Sequence, residues 1–330
     1  MGCWNNGILG TRSGKKGIMT HLLLDAVLAA ISVGLLWKGS EWLVDSAVRI
    51  AHRLRISDLA IGLTVVAIGT SAPEFAVTIN AAVKGLADIS VSNVVGSNIF
   101  NLGFILGGCA AIRPIRTTPV IVWRDGLFLL AMSSVLVLFL KDLALTPKEG
   151  LVLFALLVAY ITYLFWKKAP VGDTDKDPGK EATWKDIPLL VIGIAAVVGG
   201  GHILVWAATS LARGLGLSEW VIGVTIVAAG TSLPEFATSL MAASKGRYGM
   251  SLGNLIGSDL YNLMGVLGLA GMLGPLHIDP AGLKSVYLLV GMVALVVVFM
   301  RTGFRVSRAE GLFLIGISVM RWIFDFSAKG

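Results

Sequence analysis

The stretch GLTVVAIGTSAPEFAVTINAAVKG (Gly62–Gly85) recurs as GVTIVAAGTSLPEFATSLMAASKG (Gly223–Gly246), a constant 161 residues later. Each copy is apolar enough to lie in a bilayer. Each also places one carboxylate, Glu74 or Glu235, behind Gly-Thr-Ser and a proline. An ionisable side chain inside a hydrophobic span is costly to keep there and is read first as functional. Two of them at matched positions decide how the rest of the chain is read.

The same offset extends outward from the motifs. SNVVGSNIFNLGFILG answers to GNLIGSDLYNLMGVLG, and about half of the positions between Gly62 and Gly107 match their partners 161 residues on. Gly39 pairs with Gly200, Ser57 with Ser218, and Glu149-Gly150-Leu151 with Glu310-Gly311-Leu312. Loose composition makes membrane helices resemble one another, but it does not repeat polar residues at a fixed spacing. The chain is a duplication.

Its solvent is lipid. Of 330 residues, 55% are hydrophobic and 14% charged, against roughly 25% charged in soluble domains. Runs of about 20 apolar residues span a bilayer, and they fall near 21–49, 58–84, 90–112, 119–140 and 147–166, then 187–215, 218–245, 249–273, 280–300 and 307–324. This predicts an all-α integral membrane protein of ten transmembrane helices in two five-helix repeats. An odd helix count forces the second repeat into the membrane upside down, the inverted-topology arrangement of transporters. The expected organisation is a tail at 1–20, a first repeat at 21–168 with its motif at 62–107, a polar linker at 169–186, and a second repeat at 187–330 with its motif at 223–268. The tail shows neither a myristoylation pattern nor a small-residue cleavage site.

The net charge of +7 comes from clusters at the ends of apolar runs, where orientation signals belong, so a nucleic-acid face is not expected. The Lys and Arg excess places the loop between helices 5 and 6 in the cytoplasm and both termini outside, in a multi-pass cell-membrane protein. Cys3 and Cys109 have no CxxC neighbour and point to no redox or metal chemistry.

Proline inside a helix deletes a backbone donor and clashes with the carbonyl one turn earlier. Pro73 and Pro234 therefore predict breaks that free carbonyls near Ala67 and Ala228, beside the hydroxyls of Thr70, Ser71, Thr231 and Ser232. Irregular backbone at membrane depth persists only where it is buried in protein or lines a cavity. Ser97 and Asn101 share one helix face, as do Ser258 and Asn262, with Asn93 and Asn254 a turn back. The repeats differ at Asn98 and Asp259, and Asp259 lies about one turn before Asn262. The resulting donor set is hard oxygen with negative charge, suited to Ca²⁺, Na⁺ or Mg²⁺ rather than copper or zinc. Glu41, Asp45 and His202 read as interfacial or capping residues. Glu149 and Glu310 read as helix-start acids, and the tryptophans as interface anchors.

On these residues the chain resembles the cation/Ca²⁺ exchanger superfamily, and within it the prokaryotic Na⁺/Ca²⁺ antiporters. The resemblance covers nearly the whole chain. It implies two inverted repeats, alternating access, and Ca²⁺ and Na⁺ as transported ions with no cofactor. Carried over, it implies Glu74 and Glu235 as central ligands, with Thr70, Ser71, Thr231, Ser232 and the Ala67 and Ala228 carbonyls around them. Ser97, Asn101, Ser258 and Asn262 would complete the sites, and Asp259 would add charge nearby.

Asn262 replaces an Asp found in K⁺-dependent members, and GTSxPE replaces the GNxxE-like pattern of proton-coupled ones. H⁺/Ca²⁺ or K⁺-dependent exchange are the alternatives within the class. An intramembrane lipid-phosphate enzyme is the alternative outside it, but phosphoryl chemistry wants a basic or metal clamp and neither motif core contains a basic residue. The expected partners are the two ions and the lipid bilayer. The oligomeric state is left open, a monomer sufficing.

Overall fold

The computed structural model describes residues 12–167, 181–215, 222, 226 and 228–327, with the side chains of 12–22, 228, 281 and 324–327 outside the description. The tail before Arg12, most of the linker, and much of the first half of the second motif's helix therefore lie outside the described residues.

Helix α1 covers Arg12–Leu54. It begins inside the stretch that composition reads as a tail, because that stretch has no proline and runs directly into the apolar span. A bent pair follows, α2 (Asp58–Thr70) and α3 (Ala72–Val83), then α4 (Ala87–Ile112), α5 (Ile121–Asp142) and α6 (Pro147–Lys167). After the linker come α7 (Asp186–Gly214), a short turn at Ala228–Gly230, α8 (Leu233–Ser244), α9 (Tyr248–Leu273), α10 (Pro280–Arg301) and α11 (Arg308–Ser327). Among the described residues, seven helices are long and apolar enough to cross a membrane, and the bent pair α2–α3 makes an eighth.

The prolines act as sequence chemistry requires. Ser71 (φ −81°, ψ 14°) interrupts the first motif, and the chain bends by 52° between α2 and α3. Pro73 is the second residue of α3, where its missing N–H leaves no helical bond unmade. Ser232 (φ −90°, ψ 9°), just before α8, and Pro234, the second residue of α8, repeat the device. π-helical turns at Gly62–Val66, Asn101–Ile105 and Tyr261–Val266 widen the helices beside the motifs, a deviation frequent at functional sites.

The repeats interlock through glycine. A Cβ on Gly150 of α6 would lie 2.7 Å from the Gly268 carbonyl of α9, and one on Gly311 of α11 would lie 2.6 Å from the Gly107 carbonyl of α4. The last helix of each repeat thus seats against the third helix of the other, at a distance only a small residue allows.

Helices α1 and α7 run antiparallel and touch along their length. A Cβ on Gly193 would sit 2.7 Å from the Leu43 nitrogen, and one on Gly39 would sit 3.0 Å from the Val197 nitrogen. Both ends are clasped. The Arg49 guanidinium meets Asp186 at 2.6 Å, and the Ser210 hydroxyl donates to Asp25 at 2.6 Å. Asp25 and Asp186 are 161 residues apart, as are Arg49 and Ser210, so one clasp is the repeat image of the other.

Two short antiparallel ribbons also join the repeats. β1 (Ile115–Arg116) pairs with β4 (Arg305–Val306), and β2 (Ala144–Leu145) pairs with β3 (Leu276–His277). The main apolar core, which includes Val94, Leu102, Leu255 and Leu263, packs around α4 and α9 and leaves the two motifs facing each other at its centre.

Candidate ion-binding site

Glu74 and Glu235 are both fully buried, each in the first turn of the helix that restarts after its serine. Their partners are crossed between the repeats. The Ser232 hydroxyl donates to Glu74 Oε1 at 2.9 Å, and the Ser71 hydroxyl donates to Glu235 Oε1 at 2.8 Å. The second oxygen of each carboxylate, Oε2, is buried with no hydrogen-bond partner. Thr231 faces Glu74, and Thr70 and Ser258 face Glu235, close enough to interact electrostatically.

The asparagine pair adds a second reciprocal set. Asn101 donates its amide to Asp259 Oδ1 at 2.9 Å, and Asn262 donates to Asn98 Oδ1 at 3.1 Å. These bonds are also images under the 161-residue offset. Only the acceptor differs, carboxylate in one and amide in the other. Asn98 also donates to the Asp259 carbonyl at 3.0 Å, tying α4 to α9 at mid-height. Ser97 is buried one turn before Asn101.

The buried oxygens left without a hydrogen-bond partner include Glu74 Oε2, Glu235 Oε2, Asp259 Oδ2, Asn101 Oδ1, Asn262 Oδ1, Thr231 Oγ1 and Ser258 Oγ. Buried polar atoms are nearly always paired, and an unpaired one costs about 1–3 kcal/mol, more when charged. So many together, all acceptors or hydroxyls, form a donor set for a hard cation. Among the described residues no group of three or more His, Cys, Asp or Glu stands ready as a metal centre. The set is carboxylate, amide and hydroxyl oxygen combined.

Two expectations change in detail. The Ala67 carbonyl is not stripped of partners, because it accepts the Ser71 N–H at 3.0 Å and the Thr70 hydroxyl at 3.3 Å. The proline falls after the break rather than before it, so this last α2 bond survives. The backbone of Ala228 is helical, and its side chain lies outside the described residues. Asn93 and Asn254 act as braces. Each amide spans its own repeat, Asn93 to Thr78 Oγ1 and Asn254 to Ser239 Oγ, both at 2.9 Å. Thr78, Ser239, Ser90 and Ser251 are residues that reading for ligands passes over, although they too recur at the 161-residue offset. Ser90 donates to the Thr78 carbonyl at 2.6 Å and Ser251 to the Ser239 carbonyl at 2.9 Å.

The residues read as non-ligands have other partners. Glu149 accepts from the Thr146 N–H and hydroxyl at 2.8 Å, and Glu310 accepts from those of Ser307 at 2.7 Å, which makes both helix-start capping boxes. Glu41 pairs with Lys38 at 2.7 Å, and Asp45 pairs with Lys245 at 2.5 Å.

The surroundings of the two motifs are unequal. On the α8–α9 side, Leu43, Val44, Ala47, Val48 and Ala51 of α1 cover Met241, Ala242 and Met250. On the α3–α4 side, Ile89, the counterpart of Met250, is 49% exposed. Asp45 and Lys245 pin the covered side, whereas the position equivalent to Asp45 is an exposed tryptophan, Trp206.

Comparison with known proteins gives the family of the chain. The profile of the sodium/calcium exchanger protein family matches residues 24–166 and 185–320. CaxA of Alkalimonas amylolytica is 35% identical over 306 residues, 89% of this chain and 96% of its own. The sodium/calcium exchanger MaX1 of Methanosarcina acetivorans is 31% identical over 339 residues, again 89% and 96%. The solved sodium-calcium exchanger NCX_Mj superposes with a TM-score of 0.80 at 30% identity, covering 91% of this chain and 98% of that one. Its family relatives are exchangers and antiporters rather than enzymes, and this multi-spanning membrane protein belongs to the sodium/calcium exchanger family, within the cation/Ca²⁺ exchanger superfamily.

Proposed function

We propose that this antiporter exchanges Ca²⁺ for Na⁺ by alternating access, with Glu74 and Glu235 as opposite walls of one site. The observation that carries the reading is the crossed serine–glutamate pair with its surrounding unpaired, buried oxygens. In the proposal Thr70, Ser71, Thr231, Ser232, Ser97, Asn101, Ser258, Asn262 and Asp259 supply the remaining oxygens, with backbone oxygen near Ala67 and Ala228. Ca²⁺ accepts roughly six to eight oxygens at flexible geometry, a number that two opposed motifs provide. Na⁺ takes the same hard donors and balances the same carboxylates.

The ten spans form two inverted repeats in this reading, supported by the antiparallel course of α1 and α7 and by the reciprocal bonds at one offset. The clasped α1–α7 pair is the moving body, and the α2–α3 and α8 motifs with α4 and α9 are the fixed core. The state described has the α8–α9 side covered and the α3–α4 side open. Placing the basic loops inside the cell puts both termini outside and makes this the outward-open state.

The test is Ca²⁺ flux in proteoliposomes with Na⁺, K⁺ and H⁺ gradients varied separately. A Na⁺ gradient alone is expected to drive saturable counter-flow. Flux driven by a pH gradient in Na⁺-free buffer, with no response to Na⁺, would assign proton coupling instead.

A further inference from the structure

In the β1–β4 ribbon, Arg116 lies directly opposite Arg305. The companion pair Ile115 and Val306 is fully buried, so both arginines project from the other face of the ribbon, and both are exposed. Like charges directly opposite across two strands repel. No described residue compensates them. Glu310 is occupied by Ser307, and Asp125 is occupied by Arg124 and Tyr160. Further arginines crowd the same end. Arg113 lies over Tyr248 and donates to the Ser244 carbonyl, Arg308 donates to the Ile112 carbonyl, and Arg301 lies over Trp123 and Phe304.

The other ribbon provides an internal comparison. It pairs Ala144 with His277 and Leu145 with Leu276, with no Arg or Lys in either strand. The two ribbons do the same mechanical job, since each ties one repeat to the other, so the arginines are not needed for the strand pairing and act against it. Their location fits another purpose. β1 lies between the spans Ala87–Ile112 and Ile121–Asp142, and β4 follows the span Gly282–Phe304, so the ribbon sits where spans leave the bilayer. Trp123 beside it is 52% exposed, as an interfacial anchor is.

We propose that the Arg116–Arg305 ribbon is a docking site for the phosphate of an anionic phospholipid headgroup. Two guanidinium forks held a strand spacing apart can share one phosphate, and the bound headgroup converts a repelling pair into a clamp across the repeats. This goes beyond ion exchange and does not depend on it.

The test uses the purified full chain in uncharged detergent, titrated with short-chain phosphatidylglycerol and followed by tryptophan fluorescence and by thermal unfolding. Phosphatidylcholine and inorganic phosphate form the control arms. Phosphatidylglycerol is expected to bind and raise the unfolding midpoint, with the effect suppressed at high salt, and both controls are expected to be inert. The double variant Arg116→Gln/Arg305→Gln is expected to bind roughly 30-fold more weakly. The single variant Arg305→Gln leaves the fold intact and reports independently. Without lipid its unfolding midpoint should rise, because the repulsion is relieved, and the increment from phosphatidylglycerol should largely vanish. An unchanged increment in Arg305→Gln would overturn the proposal. So would equal stabilisation by inorganic phosphate, which would make the site one for free phosphate.

Discussion

Ser232 donates its hydroxyl to Glu74, 2.9 Å away and 158 residues earlier in the chain. The image bond from Ser71 to Glu235 measures 2.8 Å. Each motif therefore orients the other motif's carboxylate and leaves its second oxygen buried with no hydrogen-bond partner. Replacing either glutamate by glutamine keeps the volume and removes the charge. Both Glu74→Gln and Glu235→Gln are expected to lower Na⁺-dependent Ca²⁺ flux by at least about a hundredfold, consistent with losing a charged ligand, while the purified proteins keep a wild-type elution profile.

The serines should behave differently from the acids. Ser71→Ala and Ser232→Ala remove the donor that fixes a buried carboxylate but leave the charge in place. A hydrogen bond to a charged group contributes about 1.5–3 kcal/mol, which corresponds to a rise in half-saturating Ca²⁺ of about 10- to 150-fold. The two variants should match within a few-fold, since the bonds are repeat images. Flux measured against external Ca²⁺ concentration checks both the magnitude and the equality.

Asp259 and Asn98 occupy equivalent positions, and each accepts an amide from the other repeat's asparagine. If Asp259 contributes charge to the site rather than a particular geometry, moving the charge to the equivalent position 161 residues earlier should restore what its removal takes away. Asp259→Asn is expected to weaken Ca²⁺ activation of flux by roughly tenfold. Asn98→Asp combined with Asp259→Asn should recover most of that loss. Full activity in Asp259→Asn alone would exclude the residue from the site.

The ion pair between Asp45 and Lys245 pins α1 over the covered side. Half-exposed pairs contribute up to about 1 kcal/mol, enough to shift a conformational equilibrium about fivefold without unfolding the protein. Asp45→Asn is expected to increase labelling of a cysteine introduced at Met250, a buried position beneath α1, by a membrane-impermeant maleimide. The partner variant Lys245→Met should do the same. Unchanged labelling in both would remove the latch from the mechanism.

The glycine seams predict a stability effect independent of ions. A Cβ on Gly150 would come within 2.7 Å of the Gly268 carbonyl, which is backbone and cannot give way as a flexible side chain can. Gly150→Ala should destabilise the protein by about 1–3 kcal/mol, the usual cost of overpacking, visible as a lower unfolding midpoint in detergent. Gly34→Ala, where a Cβ meets nothing within 4 Å, is the neutral control.

Much of this was legible in the sequence, for an identifiable reason. Polar residues that survive twice in an apolar sequence at one offset, Glu74 with Glu235 and Asn101 with Asn262, single out the candidate site without any structure. Proline chemistry predicted a break within each motif but set it about a turn too early, and the spacing of Glu149 and Glu310 from their loops marked helix starts. What stayed hidden was which surfaces meet. No local pattern says that Ser71 serves Glu235 rather than Glu74, because that choice depends on how the two halves of the chain pack against each other. The clasps leave no repeated signal in the sequence, because the offset joins Asp25 to Asp186 but pairs Ser210 with Arg49, residues of unlike chemistry. The inequality between covered and open sides was also out of reach. The two motifs are alike in sequence, and it is the packing of α1 over α8 and α9, with the Asp45–Lys245 pair, that makes their surroundings unequal.

The most direct test of the central claim is radiolabelled Ca²⁺ uptake into Na⁺-loaded proteoliposomes, comparing the wild-type chain with Glu74→Gln and Glu235→Gln in one preparation. The account predicts uptake that collapses when the Na⁺ gradient is removed and that is absent in both variants. Undiminished Na⁺-dependent uptake in both would contradict it.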